Sequence, residues 1–542
     1  MAKLTTIIDR YYRTWLRFNP EVAVDVGVAG YAHLLKPYGD DELGALKVLN
    51  EKLISSLDEL SLDTLTQDQQ IDLQVMRSAA VLQLEAAASR DWRLSEPSRF
   101  LPVHAIYQLT IHDVENKETA LRERLTAIPA HLRGARSWLD MEPEKIPHIW
   151  LESAIAEAKG GAEFFRELKQ HPEINSYRVS EELEQAAHAL DDFSSYLKNN
   201  IAEVAKGDFA CGRKYFDLIL QERHFLNINA DELYEFGEKL FNQTEKELEK
   251  VTEELQGNND VEGLMRKIQQ QHPKKENVLE EYRKQMLAAR KFVEDNDIVS
   301  MPGKEDLKVI ETPGFLQHEI PFAAYYEPSP ADVNQQGYYY VTPAKTDDEL
   351  GEHNSIGLKH TCVHEAWPGH HLQFVKANSK PTSSTLPRLL NASATLYEGW
   401  ALYCEQLMHE LGFITEPESR FVLLKDRLWR ALRIMIDVGI HTRNLSLDDA
   451  ANLMQEKLGF SREQAMGDLT WYTHAPGVPM GYATGWAIIN DLKKQQQEKD
   501  NFDLKVFHDT LLSSGSIALS LSIVRGFGLS AWQKAHEAVF KS

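Results

Sequence analysis

The chain has 542 residues, of which 43% are apolar and 26% charged, and its formal net charge is −23. That length carries a large core and more than one lobe, and the apolar fraction excludes extensive disorder. So acidic a surface repels phosphate backbones and anionic lipid, so neither nucleic acid nor membrane is expected as a partner.

The first segment, MAKLTTIIDRYYRTWLRFNP, has no apolar core of signal-peptide length. No apolar run in the chain approaches the roughly 18–20 residues of a membrane helix. The three cysteines, Cys211, Cys362 and Cys404, form no C-x-x-C pair and are odd in number. A disulfide framework is not expected, and the reading is a reducing compartment, hence a cytoplasmic location.

Helical periodicity dominates residues 1–300. Gln70 to Arg90, Leu151 to Gln170 and Ser180 to Ala205 each repeat apolar residues at helical spacing. The charged stretch from Asn229 to Gln256 opens on a capping residue and closes before Gly257, with its Glu and Lys on a solvated face. After Met301 the character changes: Pro302, Pro313, Pro321, Pro328, Pro330 and Pro343 punctuate the chain, and LKVIET and GYYYVTP read as short strands. Helical patterns resume near Gly357. The expected architecture is mainly α and two-lobed. A helical lobe takes residues 1–300, and a metal-site lobe takes 301–542, with strands over 305–343.

The stretch HTCVHEAWPGHHLQF, His360 to Phe374, is the candidate site. A catalytic zinc takes three protein ligands and keeps a position open, and a familiar helical solution is H-E-x-x-H with the Glu as general base. Glu365 follows His364 as required, but Pro368 stands where the second histidine belongs. Pro368 removes a helical hydrogen bond and crowds the carbonyl of His364, and Gly369 permits unusual backbone angles. A turn expanded by two residues brings His370 to the ligand position. An unbroken helix would instead align His371 with His364, and His360 with His364 is a third pairing. Glu398 supplies a third ligand, and Glu405, seven residues on and on the same helical face, is placed to orient a ligand histidine.

The motifs HEAWPGHHLQ, LYEGWALYCEQL, APGVPMGYATGWAI and FHDTLLSSGSIAL occur in this order. The chain thereby resembles the bacterial family called domain of unknown function 885, over nearly its whole length. The third motif departs from that family, with Val478-Pro479-Met480 where Gln-Ala-Leu is usual. The family is similar in turn to helical metallopeptidases of the carboxypeptidase Taq, thimet oligopeptidase and angiotensin-converting enzyme type. That resemblance implies zinc on His364, His370 and Glu398, and a His and a Tyr in the late segment, here His474 and Tyr482, that stabilise the transition state. It implies a hydrolase of short peptides. The strand carrying Tyr338, Tyr339 and Tyr340 is expected at a sheet edge, holding the extended peptide by main-chain hydrogen bonds. A zinc hydrolase of a non-peptide amide and a helical scaffold without activity are the competing readings.

Overall fold

The computed structural model describes residues 2–541 except 318, 319, 321, 381 and 383, so Pro321 lies outside the described residues. Helices form where the apolar spacing and the end signals place them. Two that matter here are α1 (His148–Glu167) and α2 (Ala230–Gln256). At the start of α2 the Asn229 side chain accepts from the N–H groups of Asp231 and Glu232, and Glu232 accepts from the N–H of Asn229. These bonds satisfy donors that a helix start leaves unpaired. Gly257 ends α2 at φ +75°, a conformation that suits glycine.

Among the described residues three short strands interrupt the helices: β1 (Asp306–Glu311), β2 (Ala323–Tyr326) and β3 (Gln336–Val341). Their order is β1-β3-β2, with β3 parallel to β1 and antiparallel to β2. The expected edge position of β3 is therefore corrected. Tyr340 pairs with Ile310 on one side and Ala324 on the other, so β3 has no free edge for a peptide. Its three tyrosines serve packing. Tyr339 is fully buried against Tyr282, with ring centroids 5.3 Å apart. Tyr340 turns the other way, bonded to the Tyr107 hydroxyl, and Tyr338 stacks on it at 6.1 Å. The free edge near the candidate site belongs to β2.

The sheet lies between two cores, because alternate residues of a strand point to opposite faces. Tyr339 and Val341 join a core that runs from Phe216 to Ala535, whereas Tyr340 joins one built from Val24 to Ala205. The cores therefore part between residues 205 and 216, not at 300. The helices between 216 and 299 pack with the histidine-bearing helices, and the change of composition at Met301 marks the sheet, not a lobe boundary.

Candidate metal centre

The histidine cluster occupies two helices that meet at a break: α3 (Ser355–Glu365) and α4 (His370–Ser379). The helix does not kink at Pro368 but ends at Glu365. Ala366 leaves the helical region at φ −111° and ψ −92°, the Trp367–Pro368 bond is cis, and α4 restarts at His370. The chain doubles back so tightly that the Gly369 N–H donates to the carbonyl of Val363 at 3.1 Å. A Cβ at Gly369 would lie 1.8 Å from the carbonyl oxygen of His364, so no larger residue fits this crossing. The next helix, α5 (Ala394–Glu410), holds the break from below: the Trp400 indole N–H donates to the Pro368 carbonyl at 2.8 Å.

This geometry gathers His364, His370 and Glu398. One ligand atom from each lies within 4.8 Å of the others, and all three residues are buried. The Nε2 atoms of His364 and His370 stand 3.5 and 3.2 Å from Glu398 Oε2. Two ligands each about 2.0–2.1 Å from a tetrahedral zinc are about 3.3–3.4 Å apart, so these spacings fit that ion. Glu398 Oε2 and His370 Nδ1 are buried without a hydrogen-bond partner among the described residues. Buried polar atoms in that state are costly unless something satisfies them. Behind the group, His364 Nδ1 donates to Glu405 Oε1 at 2.7 Å, which leaves Nε2 facing Glu398. That is the role expected of a carboxylate behind a ligand histidine.

Without a metal, the group is held together as buried ion pairs. Burial would raise the Glu398 carboxyl, but the two adjacent histidines hold it well below the usual carboxylate range, so it stays an anion. Burial opposes a charge on His364, yet Glu398 and Glu405 outweigh it and lift its pKa to about 10. Glu365 is half-buried beside them. Burial raises its pKa above the ordinary value against the pull of His364 and His370, which suits a group that must accept a proton.

Three further helices complete the surroundings: α6 (Ser419–Thr442), α7 (Arg462–His474) and α8 (Gly481–Gln497). α5 and α8 cross in near contact, since a Cβ on Gly399 would fall 2.5 Å from the Cα of Gly485. The crossing sets Tyr482 against the triad. Its ring stacks on His364 with centroids 6.2 Å apart, and its hydroxyl pKa is driven up by burial and by the neighbouring Glu398. Arg433 of α6 lies over the same ring at 4.7 Å.

Other expected residues lie elsewhere. His371 is fully buried on the far side of α4. Its Nε2 donates to Glu305 Oε2 at 2.9 Å, and its Nδ1 accepts from the Tyr325 hydroxyl at 3.1 Å, so it ties α4 to the sheet. His360 bonds Ser419 Oγ at 3.0 Å. His474 ends α7, is exposed, and stacks on Trp150 of α1 at 5.0 Å; it makes no contact with the triad. Three aromatic neighbours of His370 were not legible beforehand: Tyr325 of β2 at 6.1 Å, Phe374 at 6.0 Å and Tyr397 at 6.2 Å. Phe374 and Tyr397 carried a signal, one helical turn after His370 and next to Glu398. Tyr325 carried none.

The profile of the family described as bacterial protein of unknown function (DUF885) matches residues 20–522. The chain belongs to this family. Two solved structures share the DUF885 chain's fold, each described as a candidate lipoprotein. One, of unknown function from Shewanella oneidensis, superposes with a TM-score of 0.78 at 22% identity, covering 96% of this chain and 99% of its own. The other, from Colwellia psychrerythraea, superposes with a TM-score of 0.81 at 17% identity and covers 99% of both chains. No curated protein matches the chain.

Proposed function

We propose that the protein is a zinc-dependent hydrolase that cleaves peptide bonds in short peptides, as an oligopeptidase or carboxypeptidase. The observation that carries this reading is the convergence of His364, His370 and Glu398, with Glu405 behind one ligand and Glu365 beside another. The resemblance of the motif order to the helical metallopeptidases supports it.

Zinc held by His364, His370 and Glu398 would supply Lewis-acid activation of water and of the scissile carbonyl. Glu365 takes the proton of the attacking water and passes it to the leaving amine, a role that its raised pKa favours. Tyr482 donates a hydrogen bond to the carbonyl oxygen as negative charge develops; one preorganised donor of this kind is worth about 3–4 kcal/mol. The free edge of β2 offers main-chain groups to an extended substrate, since Tyr325 of that strand stacks on His370. The three thiols, Cys211, Cys362 and Cys404, are free, which supports a reducing, cytoplasmic setting.

The test is to incubate zinc-reconstituted protein with a defined mixture of peptides of four to ten residues and follow new termini by mass spectrometry. The reading requires cleavage that is lost in Glu365→Gln. Intact peptides after prolonged incubation of protein with bound zinc would refute it.

A further inference from the structure

A cavity of about 240 Å³ opens one helical turn from the triad. Phe374, four residues after His370 on α4 and 6.0 Å from its ring, forms one wall. The opposite wall is the end of β2 and the residue that follows it, Tyr326 and Glu327. Asp25, His104 and His112 close it from the N-terminal core. The volume equals the share of about eight waters in the liquid. It has room for one amino-acid residue.

The wall chemistry selects the ligand. Asp25 lies 3.7 Å from His104 and 3.5 Å from His112, so its charge is partly matched. The exposed Glu327 carboxylate faces this cavity and a larger one of about 750 Å³, and makes no ion pair among the described residues. Arg388 is the wall's guanidinium, but Asp72 at 2.7 Å and Asp68 at 2.9 Å match its charge. Arg388 is fully buried behind that wall and offers nothing to a ligand in the cavity. The cavity thus presents a carboxylate without an ion-pair partner among the described residues. An ammonium group is the complement, carried by a peptide's amino terminus or by a lysine side chain, and the strand beside the cavity chooses the amino terminus. Direction agrees: a peptide laid antiparallel on the free edge of β2 has its amino end at Tyr326–Glu327, where the strand meets the cavity.

We propose that this cavity receives the amino-terminal residue of the substrate, with Glu327 holding its ammonium group and Asp25 behind it. The inference rests on the peptide-hydrolase reading and narrows it to substrates engaged from their amino end.

The experiment compares tetra-alanine, Nα-acetyl tetra-alanine and an Nα-acetylated tetrapeptide with lysine first, on wild type, Glu327→Gln and Asp25→Asn. Circular dichroism and zinc content confirm that each variant is folded and loaded. Wild type should favour free tetra-alanine over its acetylated form by about tenfold or more in kcat/KM, the scale of a charge-assisted hydrogen bond. Glu327→Gln should bring that ratio close to one, and Asp25→Asn should lower it less. Equal rates on the free and acetylated peptides, or a preference that survives Glu327→Gln, would overturn the assignment. So would a preference for the acetylated lysine peptide, which would place a side chain in the cavity. If no peptide is hydrolysed, the hydrolase reading fails separately, and calorimetric binding of tetra-alanine and its acetylated form to the same proteins decides about the cavity. Tighter binding of the free form, abolished in Glu327→Gln, upholds it; equal binding or none overturns it.

Discussion

Adjacent histidines on α4 have opposite surroundings, and replacing each by alanine should produce opposite defects. His370→Ala removes one of three protein ligands. Structural zinc sites bind with about 10–16 kcal/mol of apparent free energy; shared over four positions, one ligand is worth roughly 3 kcal/mol, or more than a hundredfold in affinity. The metal-free fold should lose less, because Glu398 gives up His370 Nε2 at 3.2 Å but keeps His364 Nε2 at 3.5 Å. His371→Ala removes no ligand. It leaves Glu305 Oε2 and the Tyr325 hydroxyl without the partners they hold at 2.9 and 3.1 Å. Each such loss costs about 1–3 kcal/mol. Arg290 still holds the other oxygen of Glu305 at 2.9 Å, so the lower half of the range applies to that group, and the two losses together cost about 2–5 kcal/mol. Zinc affinity by chelator competition and urea unfolding of the metal-free proteins measure the two quantities independently. His370→Ala should lose zinc and the smaller share of stability, and His371→Ala the reverse. If His371→Ala lost zinc as severely as His370→Ala, the division of labour across the break would be wrong.

Glu365→Gln should keep its zinc and lower the hydrolytic rate by about 10²–10⁴-fold, the usual share of a general base; a near-normal rate would remove Glu365 from that role. Glu405→Gln replaces the acceptor behind His364 and should weaken zinc binding by about 10–100-fold with the triad otherwise intact, as isothermal titration would show. Acid should destabilise the fold well before its carboxylates protonate. Burial lowers His131, His353, His441 and His508 to about 4, and His224 to about 3. In the unfolded chain these rings take up protons near pH 6.5. Their contribution is therefore full above pH 6.5 and is lost as the pH falls toward 4, by about 1.4 kcal/mol per pH unit for each ring. Urea midpoints that agree at pH 7 and pH 5 would contradict this.

What the sequence disclosed follows from what is local. The start and end of α2 were legible because Asn229, Glu232 and Gly257 act on their own backbone. The grouping of His364, His370 and Glu398 was legible because these residues sit on two short motifs, and Pro368 with Gly369 announced an irregular turn within the first of them. A complete break, with α4 starting anew at His370, is more than the expected expansion of a turn. It depends on contacts from outside the motif, such as Trp400 bonding the Pro368 carbonyl. Strand order was not legible. AAYY is four residues without alternation, so β2 was missed, and without β2 the strand with the strongest pattern looked like an edge. The lobe division failed similarly, since the helices between 216 and 299 resemble in composition those before 205 and differ only in their packing partners. His474 precedes the α8 motif by only a few residues, yet the chain between them turns, and the side chain meets Trp150 of α1.

The central claim is that one zinc ion sits on His364, His370 and Glu398. Anomalous diffraction at the zinc edge, from crystals of the zinc-loaded protein, tests it most directly. The account predicts one peak per chain, about 2.0–2.2 Å from a nitrogen of His364, a nitrogen of His370 and an oxygen of Glu398. A peak between His371 and Glu305, or none at the triad in protein shown to retain zinc, would contradict it.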